Sequence, residues 1–589
     1  MFWVEPYKGS SRKLAIAIDI GTTYSGVAYC VLDPGEVPKV HSVTRFPGQE
    51  GENKSRDVKI PSVLYYDQHN KLRAVGAEAT LQSTEDEAYT QEWKYVKWFK
   101  LHLRPPSILP GAALPPIGVN KPAVDILADY LAYILKCAKD FISETNPIGR
   151  QILNSDAPID FVLSHPNGWS GPQQQNMRRA AVLAKLIPDN SPESATRLQF
   201  VTEGEASLQF CMATGLVDDI MQKDRCVTVV DCGGGTVDLS TYRVVDSQPV
   251  SVEESVVPQC LMQGSTMVDR RAEELLRNKL RKSRFSTPGD LNAMMQYFES
   301  TTKPIFRDPA AGSHIRFGGQ SDTDPKVKIR RGILTLSGSE MASLFRPSID
   351  AIKSAIDNQV SGVDSDLTIL LVGGFSTSPF LRTELQAHMN GRGLRMFSPE
   401  GQTSKAVAEG ALWYYLDHRV RARVARHTYG TDYASPFQPS EPSHLKRKHL
   451  ACMSLHGWPV IPSAFATLVQ KGTLVTEERE FSYTFIASRR AGLISSSTIP
   501  SDVIAYRGNS SNPQWIDEEP EMFSTLCTIR ADTAVSSWKK ESSFLGPFLC
   551  QKFDVILLLG LTEMKAQISW LENGEQRRSP ATIVYDNEQ

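Results

Sequence analysis

Two short stretches of the sequence, each an apolar run that ends in aspartate, constrain the fold most strongly. The first is Ala15 to Val27, in which Asp19 is followed by Ile-Gly-Thr-Thr. The second is Val227 to Asp238, in which Asp231 is followed by Cys-Gly-Gly-Gly-Thr. An apolar run, a glycine-containing turn and a second apolar run predict a buried strand, a tight hairpin and a return strand.

The chemistry of these two turns indicates a phosphate and a metal ion. Glycine lets a turn approach a ligand closely, and the N–H groups of such a turn can cradle phosphate oxygens. An aspartate at the end of a strand can hold a hydrated cation. Two copies of this pattern therefore predict a metal-phosphate group held between two lobes.

Composition and charge exclude several classes of protein. With 64 Lys+Arg against 66 Asp+Glu, the net charge of −2 argues against binding nucleic acid or anionic membranes. The nine cysteines are widely spaced and include no Cys-x-x-Cys, so they predict neither a disulfide framework nor a zinc site. The first 13 residues resemble no secretory signal, and the apolar stretch Val555 to Leu561 is too short to span a membrane. We expect a cytoplasmic protein.

The 589 residues exceed what one core accommodates, and their patterns divide the chain into regions. Strands and helices alternate over residues 12–418, which predicts an α/β domain. Residues 419–445 are basic and rich in Pro and Ser, and we interpret them as a linker. Short apolar and alternating runs over residues 446–589 predict a β-rich C-terminal domain.

Five motifs in this order resemble the actin-like ATPase superfamily and, more narrowly, the 70-kilodalton heat-shock chaperones and their divergent fungal relatives. They are two phosphate hairpins, an adenosine loop and two crossover helices: Asp19 to Ser25, Asp231 to Asp238, Leu370 to Pro379, Val201 to Ser207 and Ser404 to Ala411. The resemblance implies a two-lobed actin-like (ribonuclease-H-like) domain. It makes residues 446–589 a candidate for a reduced peptide-binding domain.

The resemblance also implies a site for ATP or ADP with Mg²⁺. Asp19 and Asp231 would hold the metal, largely through its waters, and Glu203 and Asp238 would complete the water shell or orient the attacking water. Lys100 would reach the γ-phosphate, with Lys97 as the alternative. The groups implied to contact phosphate are Gly21, Thr22, Thr23, Tyr24, Gly233, Gly234, Gly235 and Thr236, of which Thr236 is also assigned to catalysis.

The adenosine side of the implied site departs from the family pattern. Glu299 and Lys303 fit the helix that contacts ribose and adenine, Gly264 fits a glycine turn at the edge of the cleft, and Gly373 and Gly374 fit the adenosine turn. Phe375 and Ser378 stand where the chaperones usually have a small residue and an arginine that stacks on adenine. We expect either weaker base binding or an apolar face supplied by Phe375.

Simpler interpretations of the same residues remain open. Glu203 could have a purely structural role as a cap of the helix that follows it, because Thr-Glu-Gly-Glu is a good helix start. Glu299 and Lys303 are spaced as a surface salt bridge. Lys97 and Lys100 flank aromatic residues and could form a solvated face.

The C-terminal third lacks several features of the chaperone family. The apolar, acid-capped linker between domains is absent, no helical lid is evident, and the chain ends in Tyr-Asp-Asn-Glu-Gln. Partners through this region could be unfolded peptide clients or another protein. We expect a monomer.

Taken with the motifs, these features predict an ATP-binding, slowly hydrolysing, heat-shock-chaperone-like protein with nucleotide-driven lobe closure. A first alternative is an ATP-binding scaffold or sensor that scarcely hydrolyses ATP. A small-molecule kinase is a second alternative, although no catalytic base for a substrate hydroxyl stands out. A filament-forming protein is the third.

Overall fold

A computed structural model describes the chain except for residues 1–4, 51–57, 106–113, 156, 170, 190–195, 248–249, 362, 364–365, 400–404, 418, 477–478, 492–496, 560–563 and 581–589. The chain forms two compact units, Met1–Val420 and Arg421–Gln589. Its mixed α/β character agrees with the prediction. Among the described residues, no helix combines the length and the apolar composition needed to cross a membrane.

The first sheet of unit 1 is built around the first hairpin. Strand Lys13–Asp19 pairs antiparallel with Tyr24–Leu32, with Asp19 opposite Gly26. Its other edge pairs in parallel with Ile159–His165, which pairs in turn with Leu198–Thr202. Tyr24–Leu32 also pairs with the short strands Lys39–Ser42 and Lys59–Pro61. The predicted first hairpin is thus confirmed.

The second sheet of unit 1 repeats this arrangement around the second hairpin. Cys226–Cys232 pairs antiparallel with Val237–Ser247, with Asp231 opposite Asp238, and in parallel with Leu367–Val372. Val250–Leu261 and Arg395–Phe397 extend the sheet on its two sides. The first strand of the first hairpin ends at Asp19, and that of the second ends one residue after Asp231, at Cys232, so the second hairpin is also confirmed.

Smaller sheets and helices complete unit 1. One small sheet contains Val63–Tyr66, Leu72–Val75 and Lys94–Lys97, and another contains Ser313–Arg316, Ile329–Arg330 and Ile333–Leu336. The α-helices are Gln82–Thr90, Ala123–Thr145, Pro147–Leu153, Gly171–Leu183, Glu203–Ala213, Ser265–Leu280, Pro288–Tyr297, Lys303–Ile305, Gly338–Val360, Pro379–Gly391 and Ala406–Leu416. Shorter 3₁₀ or π turns are Glu78–Thr80, Phe99–Leu103, Phe298–Thr302, Pro325–Val327 and Gly374–Thr377.

Two of these helices pack together at a glycine. Glu203–Ala213 and Ala406–Leu416 meet where Gly410 lies against the backbone of Ala206. Ala206, Ala408 and Ala411 are all buried around this contact. Small side chains therefore allow the two helix backbones to approach closely.

Unit 2 consists mainly of antiparallel strands. One sheet has the order Cys452–Met453, Pro459–Val469, Thr428–Pro436, Thr498–Tyr506 and Phe523–Asp532. A second has the order Glu480–Arg490, Gly546–Leu559, Met564–Glu572 and Glu575–Arg578, with Lys539–Ser543 also paired to Gly546–Leu559. The helical segments are Pro442–Lys446 and the 3₁₀ turns Lys448–Leu450, Ile516–Glu518, Pro520–Met522 and Val535–Ser537. Val503, Ile529, Leu557 and Ile568 belong to its buried core.

The structure differs from the prediction over residues 419–445, which we interpreted as a linker. Strand Val420–Val424 pairs with Leu474–Thr476, and Thr428–Pro436 is a further strand. Val420, Ala422 and Val424 are buried, whereas the arginines between them are less buried. The basic run is therefore an alternating strand pattern, which has the two-residue period of a half-buried strand.

Candidate functional site

A cavity of about 280 Å³ in unit 1 brings the turns of the two hairpins together. Most of the predicted site residues line it: Asp19, Gly21, Thr22, Thr23, Tyr24, Lys100, Glu203, Asp231, Gly233, Gly234, Gly235, Thr236, Gly373 and Gly374. Lys59, Ser207 and Val407 line it too and were not predicted. Residues that are far apart in the sequence thus converge on one concave site.

The two turns lie so close that a side chain on Gly234 or Gly235 of the second would overlap its neighbours. A Cβ on Gly234 would lie 2.5 Å from Thr23 Oγ1 of the first turn, and one on Gly235 would lie 2.6 Å from Leu101 Cδ2. Real Cβ atoms are essentially never this close to another heavy atom. Glycine therefore lets the two turns face each other across the cavity.

Gly264 supports the second turn and does not line the cavity. Its N–H donates to the carbonyl of Gly235 at 3.1 Å, and the N–H of Thr266 donates to the carbonyl of Gly234 at 2.9 Å. A Cβ on Gly264 would lie 2.5 Å from the carbonyl oxygen of Gly234. Gly264 therefore fixes the shape of the turn from behind.

Asp19 is held by a lysine and a serine. Lys59 Nζ donates to Asp19 Oδ2 at 2.9 Å, and Ser164 Oγ donates to Asp19 Oδ1 at 2.8 Å. Burial alone would raise the pKa of Asp19, but the charges of Lys59 and Lys100 outweigh burial and leave the pKa below its usual value. Burial opposes the charge of Lys59 as well, yet Asp19 raises the pKa of Lys59 above its ordinary value.

Lys100 lines the cavity, whereas the alternative, Lys97, points elsewhere. The ammonium of Lys100 forms an ion pair with Glu203, and its Nζ lies 5.6 Å from the ring centre of Trp169. Lys97 Nζ instead lies 3.3 Å from Glu299 Oε1. Trp98, between the two lysines, has a left-handed φ of 59°. This turn of the backbone separates the directions of the two side chains.

Asp231 and Asp238 are buried, and no lysine in the described part of the chain donates a hydrogen bond to either of them. Asp231 Oδ2 accepts from Ser207 Oγ at 3.0 Å, and Asp238 Oδ1 accepts from the backbone N–H of Asn167 at 2.7 Å. Burial, reinforced by Glu203 and Asp238, raises the pKa of Asp231 to about 7. Burial and Glu203 likewise raise the pKa of Asp238 to about 7, although Thr236 and Asn167 act against this.

These residues fit a hydrated Mg²⁺ ion. The carboxylates of Asp19, Glu203, Asp231 and Asp238 outnumber the two ammonium groups near them, and a divalent cation would offset the excess negative charge. No group of three or more His, Cys, Asp or Glu side chains within the described ranges is arranged as a direct metal-binding set. Mg²⁺ often keeps several waters and binds one or two carboxylates, so contact through water suits this arrangement.

Glu299 and Lys303 lie outside the cavity lining and do not pair with each other. Lys303 Nζ donates to Asp269 Oδ2 at 2.7 Å, and Glu299 accepts from Lys97. The helical spacing of Glu299 and Lys303 suggested a mutual surface salt bridge, but each has a partner on another element. These contacts join separate elements of unit 1.

Phe375 and Ser378 have structural roles in the turn after strand Leu367–Val372, which the sequence motifs predict to contact adenosine. Phe375 is buried, and its ring stacks near that of Phe345 with 6.2 Å between the ring centres. Ser378 caps the helix Pro379–Gly391, because its Oγ accepts from the N–H of Leu381 at 3.4 Å. Neither residue lines the cavity, so the expected apolar face from Phe375 is not formed there.

Of the unpredicted lining residues, Ser207 carries a signal in the sequence, whereas Lys59 does not. Ser207 follows Glu203 by four residues, so both lie on one face of the helix Glu203–Ala213. Lys59 begins the strand Lys59–Pro61 that pairs beside the first turn. Only the pairing of that strand, which the sequence pattern does not reveal, places Lys59 at the cavity.

Comparison with known proteins finds distant relatives along most of the chain. No family model matches it. It is 25% identical over 497 residues to human heat shock 70 kDa protein 12A, covering 71% of this chain and 71% of that protein. It is 25% identical over 515 residues to human heat shock 70 kDa protein 12B, covering 73% and 72%. The mouse 12A protein matches like the human one, with 25% identity over 497 residues. The chain thus shows distant homology to the heat shock 70 kDa proteins 12A and 12B.

Proposed function

We propose that this chain binds ATP with Mg²⁺ in the cavity between the two hairpin turns and hydrolyses it slowly. The observation that carries the proposal is the convergence of two glycine turns on a set of buried carboxylates and lysines. The distant homology to heat shock 70 kDa proteins supports an ATP-binding protein of the same general kind.

The site would promote phosphoryl transfer in two ways, by positioning the phosphates and by neutralising their charge. N–H groups of both turns would bind phosphate oxygens, and Lys100 would reach the terminal phosphate. Mg²⁺, held through water by Asp19 and Asp231, supplies charge neutralisation of the phosphates. Such a reaction needs little covalent chemistry from the protein.

We propose that Glu203, which lines the cavity, and Asp238, which lies behind its lining, would order water near the metal site. Both are within electrostatic reach of Asp231, and Asp238 is fixed by the backbone of Asn167. A buried carboxylate that holds a water by hydrogen bonding fixes the direction from which the water attacks. Burial raises the pKa of Asp238, which makes its carboxylate a stronger base than an exposed one.

We propose that the site makes fewer contacts with adenosine than with the phosphates. Glu299 and Lys303 would meet ribose and adenine only by giving up or sharing their ion pairs with Lys97 and Asp269. The buried ring of Phe375 supplies no stacking surface. We therefore expect the phosphates to contribute most of the affinity, and the difference between ATP and free triphosphate to be modest.

We also propose that ATP drives closure of two lobes around the cavity. Contacts to both hairpin turns at once would favour a closed arrangement. ATP can shift this equilibrium only by its differential affinity for the two states.

The first experiment measures ATP affinity and hydrolysis for the full chain and for Asp231→Asn. Asp140→Asn, at an exposed position of the helix Ala123–Thr145, is the matched control. Magnesium-dependent turnover that is lost only in Asp231→Asn would support the ATPase. Tight binding without turnover would favour the scaffold or sensor, and failure to bind ATP would refute the proposal.

Unit 2 offers a second candidate function, the binding of unfolded peptide segments or a protein partner. An open groove of about 800 Å³ is lined in part by Tyr433, Trp458, Tyr483, Phe485 and Ile486. Trp458, Tyr483 and Ile486 are exposed, as expected of a surface that binds apolar side chains. Anisotropy of labelled apolar peptides, compared between the full chain and Tyr483→Ser, would test this function.

We propose that the chain acts as a cytoplasmic monomer. Its net charge of −2 supports the absence of nucleic-acid and membrane partners. Light scattering with and without ATP measures the mass and would reveal filaments or stable oligomers. Filaments or stable oligomers would refute the proposal that the chain is a monomer.

A further inference from the structure

We propose that Lys59 is a second phosphate-binding lysine that supplies part of the positive charge otherwise brought by Mg²⁺. ATP would then bind measurably without the metal, and Lys59 and Mg²⁺ would compete for Asp19. The inference rests on the proposed function, since it concerns the same cavity.

The position of Lys59 is determined by strand pairing. Strand Lys59–Pro61 pairs with the return strand of the first hairpin, with Lys59 opposite Gly26 and Ile60 opposite Ser25. A Cβ on Gly26 would lie 3.8 Å from Lys59 Cγ and Cε, so the stem of the lysine runs along this glycine. The stem therefore leads the ammonium group to the cavity, which Lys59 lines together with Thr22 and Thr23.

The ammonium group of Lys59 occupies one side of the predicted metal-binding carboxylate. Asp19 Oδ2 accepts from Lys59 at 2.9 Å and Oδ1 accepts from Ser164 at 2.8 Å. A hydrated divalent cation placed against Asp19 would meet a positive charge already in contact with that carboxylate. Asp231, by contrast, is bonded by the neutral hydroxyl of Ser207. The two aspartates are therefore unequal, and Asp231 is the better placed to attract the metal.

A lysine in this position can exchange a carboxylate for a phosphate. Its ammonium group has three donors on a flexible four-carbon stem, so a small rotation changes its acceptor. The Lys59 side chain is 23% exposed and lines the cavity. When the triphosphate enters, Lys59 would donate to phosphate oxygens and release Asp19 to the metal and its waters. Lys59 and Lys100 would then approach the phosphates as two separate cations.

The simplest alternative is that Lys59 only neutralises Asp19. Replacing the lysine would then lower ATP affinity only because the uncovered charge of Asp19 repels the phosphates, and it would change nothing once Asp19 is replaced by the neutral Asn. A phosphate-binding role predicts that Lys59→Met still lowers ATP affinity in EDTA when Asp19→Asn is present. The comparison of Lys59→Met in the wild-type and Asp19→Asn backgrounds therefore separates the two roles.

The experiment measures ATP affinity by titration calorimetry for the full chain, in excess Mg²⁺ and in EDTA. The variants are Lys59→Met, Lys59→Gln and Asp19→Asn with and without Lys59→Met, and Lys94→Met replaces an exposed lysine as the matched control. We expect the wild type to bind ATP in EDTA, and Lys59→Met to lose about 10-fold or more of that affinity, as for loss of a charge-assisted hydrogen bond. In Lys59→Met, less Mg²⁺ should be needed to restore half of the full affinity. Lys94→Met should match the wild type in both conditions.

Two outcomes would overturn the inference while leaving the proposed function intact. One is wild-type binding that requires Mg²⁺ absolutely, and the other is an unchanged ATP affinity in EDTA when Lys59→Met is added to Asp19→Asn. Wild-type failure to bind ATP in either condition would instead refute the proposed function. If Lys59→Met does not fold because Asp19 is left buried and unpaired, Lys59→Gln keeps a donor and decides the question. The thermal midpoint without nucleotide reports whether each variant is folded.

Discussion

Replacing Gly410 by alanine should disrupt the contact between the helices Glu203–Ala213 and Ala406–Leu416. An added Cβ would lie 2.6 Å from the carbonyl carbon and 3.2 Å from the Cα of Ala206, and closer still to its carbonyl oxygen. These are backbone atoms of a helix, so no side-chain rotation relieves the overlap. The two helices must move apart instead.

The expected change in the free energy of unfolding follows from two opposing contributions. Alanine is preferred to glycine inside a helix by about 0.5–1 kcal/mol, which would stabilise the variant. Overpacking a tight contact costs about 1–3 kcal/mol, occasionally more, and separation of the helices also loosens buried Ala408 and Ala411. We therefore expect Gly410→Ala to lower the free energy of unfolding by about 2 kcal/mol.

The displacement should reach the cavity as well. Glu203 and Ser207 lie on one of the two helices and Val407 lies on the other, and all three line the cavity. We expect ATP affinity to fall about 10-fold, which corresponds to about 1.4 kcal/mol. Urea unfolding and calorimetric titration with ATP measure the two effects separately.

Gly391→Ala is the matched control for this prediction. Gly391 ends the helix Pro379–Gly391, and an added Cβ there meets no atom within 4 Å. The control should be neutral or slightly stabilising and should leave ATP affinity unchanged. If Gly410→Ala behaves like Gly391→Ala, the close helix contact is not what holds these elements, and the reasoning fails.

Three further predictions concern the turns, a buried histidine and the cysteines. Gly234→Ala should lower ATP affinity about 10-fold because its Cβ would lie 2.5 Å from a hydroxyl of the first turn, whereas Gly391→Ala should not. Burial and nearby basic side chains lower the pKa of His427 to about 4. Below pH 6.5 the unfolded chain therefore binds the proton first, and stability should decrease as the pH is lowered, by up to about 1.4 kcal/mol per pH unit. His427→Asn should remove this contribution to the slope, and a variant with the wild-type slope would contradict the prediction. Burial raises the pKa of Cys232, so iodoacetamide should modify exposed Cys452 while Cys232 stays unmodified in the native protein, and mass spectrometry showing the reverse order would contradict this.

The hairpins could be predicted from sequence because their signals are local. Apolar runs and a glycine turn within a dozen residues specify a strand, a turn and a return strand. The structure pairs Asp19 with Gly26 and Asp231 with Asp238 as this pattern requires. The cavity lining then follows from two similar turns, since each brings its glycines and threonines to the same place.

Other features depend on contacts that no local pattern contains. The place of Lys59 is decided by the edge with which its strand pairs, and the burial of Phe375 by its packing on Phe345. From sequence alone, the charge of Arg421 and Arg423 favours a linker, although the small apolar residues that alternate with them favour a strand. In the structure the alternation determines the conformation, since the apolar positions are buried.

The pairing order of the two central sheets has a consequence for synthesis of the chain. Leu14 pairs with Ile159, and Cys226 pairs with Leu367, so each hairpin leaves the ribosome long before its parallel neighbour. Contacts between residues so distant in sequence form slowly. Until they form, the unpaired edge of a strand can pair with other chains. The yield of folded protein should therefore depend on temperature and translation speed. Slower growth at lower temperature should raise that yield even for variants whose final stability is unchanged.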